Sequence, residues 1–322
     1  SAVASAAAVG STLSPLQRKE GYDMPFCAAV NVASSPCGLL IPPSGALIVY
    51  SLISGGTPVD VLFVAGYVPG ILMAVSVMLW IAWKAYKGEM PPVVHRYTVS
   101  EATKITLRAI PALFLIVIIM GGIIAGIFTA TEAAGVAALY TFILGRFFYK
   151  SLSWSALVKS TLDAAVGTAV VMLMVGVSMT MSWLLASTGS AKMLADSIIG
   201  LTDNPYVLMM LFNVLLLLLG TFLDITPGLL IFTPIFLPVA MKLGISPVHF
   251  GIIITFNLCI GIATPPVGST LFVAARVARV PLAELTRPLL PMFALEIFAL
   301  FLITYFPVLS LWLPELILGK VS

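Results

Sequence analysis

Charge is what this chain has least of. Only 9% of its 322 residues are Asp, Glu, Lys or Arg, while 60% are apolar. A water-soluble domain of this size needs far more charge to cover its outside, so the apolar excess must face lipid. Histidine is scarce as well. His95 and His249 fall in polar connections with no Ser, Cys or carboxylate at a catalytic spacing, which leaves nucleophilic or zinc chemistry without support. Cys27, Cys37 and Cys259 have neither metal nor redox spacing and read as small packing residues. Strand-period alternation is missing, which speaks against a membrane barrel. The net charge of +3 is too small and too scattered for a nucleic-acid partner.

What is abundant is long apolar runs. Five of them, at 59–83, 107–128, 162–185, 207–223 and 289–313, can cross a hydrocarbon core of about 30 Å as helices, and 133–148 is a shorter sixth. Lys84, Lys87, Arg96, Lys104 and Arg108 share one loop, and Arg146, Lys150 and Lys159 the next basic one. The positive-inside rule makes both cytoplasmic. Two helices turning at 129–131 supply the even number of crossings this requires, with Thr131 as cap and Glu132 in the first turn.

The chain also repeats itself. Asn31-Val-Ala-Ser-Ser-Pro-Cys-Gly-Leu-Leu-Ile-Pro42-Pro43-Ser44-Gly45 parallels Asn257-Leu-Cys-Ile-Gly-Ile-Ala-Thr-Pro265-Pro266-Val-Gly268, with three residues more in the first copy. Upstream, Lys19-Glu-Gly21 parallels Lys242-Leu-Gly244; downstream, Thr57-Pro58 parallels Val280-Pro281. Counting back from Gly244 to Asp224 leads, in the first copy, from Gly21 to Ser1. The second copy has a long run upstream of Asp224 and the first has none, so the expectation is that roughly 100 residues of the complete protein precede Ser1.

In each copy an apolar segment shorter than a span (224–241 in the second) precedes a polar turn and a second short segment broken by Pro-Pro. The prolines remove donors and leave nearby carbonyls without helical partners, which in lipid must be buried or line a cavity. Matched interruptions in two halves point to a mid-membrane binding site. Asp224 is isolated in an apolar stretch, with Thr226 nearby and Thr264 across the proposed fold. It reads either as a Na⁺ ligand among hydroxyl and carbonyl oxygens or as a helix N-cap before Pro227. The first copy offers Ser1, Ser5, Ser34 and Ser35, with Gly38 permitting an open turn; those hydroxyls serve an ion or simply bond the preceding helical turn. Asn31 and Asn257 either cap a broken helix or contact substrate. Arg276 and Arg279 read as a solvated cytoplasmic face, and Glu296 and Asp163 have no nameable partner.

Ser1-Ala-Val-Ala-Ser-Ala-Ala-Ala-Val-Gly10, Ile41-Pro-Pro-Ser44, Leu62-Phe-Val-Ala-Gly-Tyr-Val-Pro-Gly70, Gly126-Ile-Phe-Thr-Ala-Thr-Glu-Ala-Ala134 and Asp224-Ile-Thr together resemble the large membrane subunit of TRAP transporters, the DctM/SiaM type. The chain departs from that pattern at Ser5, where the family usually has Asp, and at Ala130, where it has Pro. The resemblance implies an all-α polytopic protein of the bacterial inner membrane, with inverted repeats, re-entrant hairpins and an elevator mechanism. The layout would then be 1–57, first hairpin core, incomplete at its start; 58–106, scaffold span and cytoplasmic linker; 107–204, scaffold and connecting spans; 205–280, second hairpin core; and 281–322, C-terminal scaffold span. It implies sodium-driven uptake of a small carboxylate-bearing organic anion, a small Q-type membrane subunit and a periplasmic binding protein as partners, no cofactor beyond coupling Na⁺, and no enzymatic activity. Carried over by position, one ion site falls at Ser1, the Ser34–Gly38 turn and the carbonyls toward Leu40, the other at Asp224 and the turn before Pro265. Ser35, Ser44, Asn31 and Asn257 are then the substrate candidates. A stand-alone sodium-coupled anion carrier is the second reading, and an intramembrane enzyme a remote third.

Overall fold

The computed structural model describes residues 2–91, 98–189, 193, 200 and 204–319; these are helical, with no strand among them. In chain order the helices are α1 (Ala2–Lys19), α2 (Met24–Ser34), α3 (Cys37–Leu40), α4 (Gly45–Ile53), α5 (Val59–Tyr86), α6 (Val99–Ile124), α7 (Ala130–Ile143), α8 (Trp154–Ser187), α9 (Pro205–Gly220), α10 (Ile225–Lys242), α11 (Pro247–Gly261), α12 (Ser269–Ala278), α13 (Leu282–Tyr305) and α14 (Val308–Leu318). Five stretches are long and apolar enough to cross a membrane: α5, α6, the Trp154–Val177 part of α8, α10 and α13. Here α10 corrects the sequence reading, which made that segment too short to span. The chain divides into two compact units, Val93–Val177 and, together, Ser1–Pro92 with Ser178–Ser322.

In the smaller unit α6 packs on α7. Tyr140 and Tyr149 donate their hydroxyls to the Pro111 and Arg108 carbonyls, at 2.8 and 2.7 Å. Both helices open on a capping box, Thr98 with Glu101 and Thr129 with Glu132. Thr129, not Thr131, is therefore the cap of α7, because only a residue three before Glu132 can exchange hydrogen bonds with it. The Thr98 cap starts α6 well before the apolar run, which moves Lys104 and Arg108 from the expected loop onto the helix.

The larger unit carries the repeat. Landmarks keep one spacing of 223 residues throughout: 15 and 238 are both Pro, 21 and 244 Gly, 42–43 and 265–266 Pro-Pro, 45 and 268 Gly, 58 and 281 Pro. Both Pro-Pro bonds are cis. On that register α1, α2–α3, α4 and α5 correspond to α10, α11, α12 and α13, and their partners are exchanged: α1 packs on α12 while α10 packs on α4, and α2 packs on α13 while α11 packs on α5. Swapped partners of this kind are what a pseudo-two-fold relation between halves produces. The constant spacing also removes the three-residue shift inferred from the asparagines. Asn257 matches Ser34, and Asn31 has no amide counterpart.

At the centre lies α11, buried at every residue from Val248 to Gly261 and mostly apolar around its circumference, with His249, Thr255 and Asn257 as its buried polar residues. Backbone approaches set its neighbours. A Cβ on Gly261 would lie 2.6 Å from the Gly220 carbonyl carbon, and one on Gly251 would lie 2.4 Å from the Tyr50 ring. Polar contacts then fix the packing: Asn257 donates to the Asn213 carbonyl (3.0 Å) and side-chain oxygen (3.1 Å), and Asn213 donates to Thr304 Oγ1 (2.8 Å). In a hydrocarbon setting such interhelical bonds contribute about 0.6–2 kcal/mol each. His249 sits in the first turn of α11, buried, with Nδ1 2.6 Å from Ser310 Oγ, and not in a polar connection. The three cysteines are buried and free. The expected 289–313 span is two helices, α13 and α14, because Pro307 has no N–H with which to continue the first.

Two substitutions check this packing by thermal unfolding in detergent. Gly261→Ala should destabilise by about 1–3 kcal/mol through overpacking, whereas Gly121→Ala, which meets nothing within 4 Å, should be neutral; equal midpoints would mean that the α9–α11 approach is slack. Glu296 on α13 is fully buried, and neither carboxyl oxygen has a hydrogen-bond partner among the described residues. Glu296→Met should therefore raise stability by about 1–3 kcal/mol, the usual penalty for an unsatisfied buried polar group. A lower midpoint would reveal a partner for the carboxyl.

Candidate functional site

Each repeat is interrupted where its Pro-Pro pair removes two successive backbone donors. In the first, α2 ends at Ser34, α3 adds one turn, Ile41 is extended and Ser44 caps α4; the two arms bend by 49°. In the second, α11 ends at Gly261 and 262–268 form a compact turn before α12. The carbonyls freed at such breaks need partners, and each break supplies one hydroxyl from the helix that follows. Ser44 Oγ donates to the Leu39 carbonyl and accepts from the Leu47 N–H at 3.2 Å. Thr270 Oγ1 donates to the Ile262 carbonyl at 2.8 Å.

Several carbonyls in each break are left over, among them one matched, buried pair. Leu40 and Ala263 are 223 residues apart, both fully buried, and no hydrogen bond to either oxygen exists among the described residues. Buried carbonyls without a donor are uncommon in folded proteins. The Leu40 oxygen is pressed against α5, where a Cβ on Gly66 would lie 2.3 Å from it. In the second break the Ile262 and Thr264 carbonyls converge on Gly268, whose absent Cβ would sit 2.6 and 2.9 Å from them. Gly268 thus has no room for a side chain, its Cα packed against two peptide oxygens that already accept from Thr270 and from its own N–H.

Asp224 is exposed and caps α10, accepting the Ile225 N–H at 2.8 Å. The Gly220–Gly261 approach sets the end of α9 against the end of α11. Asp224 follows Gly220 by four residues and Thr264 follows Gly261 by three, so the two turns that carry them start from one point of contact. Thr226 and Thr264 are half-buried, and Thr264 Oγ1 donates to the Ile260 carbonyl at 2.8 Å. Among the described residues no group of three His, Cys, Asp or Glu converges. Any cation held here would be bound mainly by backbone and hydroxyl oxygens, as hard ions allow.

The first-copy residues are less unified. Ser1 lies outside the described residues. Asn31 and Ser34 line one small cavity of about 80 Å³ between α1 and α2. Asn31 Nδ2 donates to the Ala6 carbonyl at 2.8 Å. Ser35 is buried and bonds back to the Val32 carbonyl at 3.0 Å, the local helix bond that competes with any ligand role, while Gly38 is exposed. Asn257 is fully buried with its amide engaged on Asn213, and Ser44 is committed to capping. Sequence reasoning missed Ala263 and Gly268. The 223-residue register, applied to Leu40 and Gly45, would have found both.

Comparison with known proteins agrees with this architecture. Residues 1–309 match the family described as Tripartite ATP-independent periplasmic transporter, DctM component. YgiK of Salmonella typhimurium is 49% identical over 98% of this chain and 72% of its own length. The sialic acid TRAP transporter large permease protein SiaM of Vibrio cholerae is 39% identical over 99% of this chain and 74% of its own. The C4-dicarboxylate TRAP transporter large permease protein DctM of Pseudomonas aeruginosa is 36% identical over 98% and 73%. A lipid-compatible helical chain with two matched interruptions, aligned almost end to end with these permeases, belongs to the DctM family of TRAP transporter large permeases, which are inner-membrane secondary transporters of organic acids and not enzymes.

Proposed function

We propose that this permease couples inward sodium movement to uptake of a small carboxylate-bearing anion. The observation that carries the reading is the matched pair of buried carbonyls at Leu40 and Ala263, without donors, beside turns rich in further oxygens. A carbonyl deep in a bilayer needs a donor, a cation or enclosure, and Na⁺ is a hard cation suited to oxygen ligands. The Ser34–Gly38 turn with Leu40, and Asp224, Thr226 and Thr264 with Ala263, are the two candidate positions. The driving force is not ATP, in keeping with the family description.

The anion would be bound between the two breaks and carried by an elevator movement of the hairpin-bearing repeat cores against a scaffold. A periplasmic binding protein would deliver it and a small Q-type membrane subunit would complete the complex. Sialic acid and C4-dicarboxylates, named for the relatives, are carboxylates, which fits the class proposed here.

The test is uptake into proteoliposomes holding the complete complex, with succinate and sialic acid as probes. Accumulation should need Na⁺ and collapse when K⁺ or choline replaces it; equal uptake in all three ends the sodium reading. Asp224→Asn keeps a good helix cap but removes the charge. It should raise the half-saturating Na⁺ concentration by about tenfold, equivalent to 1.4 kcal/mol, with little change in half-saturation for the anion. An unaltered Na⁺ response would exclude Asp224 from the site. Uptake that proceeds without a binding protein would favour a stand-alone carrier.

A further inference from the structure

A sizeable cleft in the repeat unit lies away from the breaks. About 600 Å³ in volume, it lies between the C-terminal halves of α1 and α12 and is lined by Ser11, Ser14, Pro15, Arg18, Arg276, Val277 and Arg279. From its side chains and strain we infer that it is an oxyanion-binding site, taking a carboxylate or a phosphate at the cytoplasmic end of the repeat unit.

Three observations carry this. First, three arginines line one cleft and among the described residues none is in an ion pair; Arg18 is held in place by donating to the Ala278 carbonyl at 2.7 Å. Guanidinium groups bind carboxylate and phosphate through paired, charge-assisted hydrogen bonds. Ser14, a residue nine-tenths buried, also lines the cleft, and no hydrogen bond of its hydroxyl is found among the described residues. Second, Arg279 ends α12 in the left-handed conformation, φ 52°. That position ordinarily takes glycine, and the equivalent residue of the first repeat is Gly56, at φ 101°. Strain at a bulky residue, where the sister repeat relaxes with glycine, marks a side chain retained for what it contacts.

Third, the repeat supplies its own control. On the 223-residue register Arg18, Ser14, Ser11, Arg276 and Arg279 correspond to Met241, Leu237, Pro234, Ile53 and Gly56. Every polar group of the cleft is apolar or missing at the opposite end, so the fold itself does not require them. The cleft end also carries Lys19, and Lys84 lies over the Phe26 ring at 4.7 Å, which places Lys84 at the start of α2. By the positive-inside rule this end is cytoplasmic. There the oxyanion is either the carboxylate of the transported anion as it leaves or the headgroup phosphate of an anionic lipid. The inference stands whichever ion drives transport.

The test uses the complete purified protein and follows its thermal midpoint with inorganic phosphate and with succinate. Both should raise the wild-type midpoint. In Arg276→Gln/Arg279→Gly the apparent affinity should fall by about tenfold or more, while the ligand-free midpoint holds or rises because glycine suits the left-handed position. Arg276→Gln alone gives a smaller loss and serves if the double variant does not fold. Competition by phosphatidylglycerol vesicles, but not phosphatidylcholine vesicles, assigns the site to lipid; competition by succinate alone assigns it to the transported anion. Wild type that binds neither probe, or variants that bind both as wild type does, overturns the inference.

Discussion

A peptide carbonyl inside a bilayer must find a hydrogen-bond donor, a cation or a wall of protein, and that requirement organises this molecule. Each Pro-Pro pair strips two donors from the backbone at mid-helix. The response at both breaks is the same in kind and different in detail. Ser44, a helix cap, covers the Leu39 carbonyl, and Thr270, one residue into its helix, covers that of Ile262. These hydroxyls are not at equivalent positions: on the repeat register Ser44 matches Val267. What both halves retain is the physical solution of one hydroxyl for one carbonyl. Each also leaves a neighbouring carbonyl, Leu40 or Ala263, uncovered and buried.

Leaving such oxygens bare requires surroundings that do not collapse onto them. Association of helices in lipid draws on close packing and polar contacts more than on hydrophobic burial, and both are concentrated around α11. Gly261 and Gly220 bring backbones into contact, and the Asn257–Asn213–Thr304 chain ties three helices together. The tight turn at Gly268, where the Ile262 and Thr264 carbonyls leave no space for a Cβ, directly follows α11.

The sequence made the helical class, the repeat and the paired interruptions legible, because each rests on strong local chemistry: apolar run length, Pro-Pro, and Gly at matched offsets. It misled where one local signal admitted two registers. Two threonines precede Glu132, and only the three-residue spacing of Thr129 permits a reciprocal cap. The two asparagines looked equivalent because the alignment admitted a three-residue shift, and the constant spacing of the prolines and glycines removes it. The candidate site was legible as a region but not as a list of atoms. A carbonyl belongs to every residue, so nothing in the names Leu40 and Ala263 announces that theirs lack donors. The buried Glu296 was visible as an isolated charge, and only packing shows that its surroundings leave it without a partner.

Where two halves share one frame, the differences between them locate chemistry that the frame does not need. Gly38 and Gly261 are matched in register but not in role, since a Cβ on Gly38 would meet nothing within 4 Å while one on Gly261 would lie 2.6 Å from Gly220. Asp224 has Ser1 as its counterpart, and Thr264 has Ile41, so the second break carries a charge and a hydroxyl that the first does without. A cation at the second position would meet a carboxylate, while one at the first would rest on neutral oxygens and depend more on geometry. The same logic separates the two ends of the repeat unit, where guanidiniums occupy one side only. Symmetry here builds the frame, and its local breaking marks where the two halves carry different chemistry.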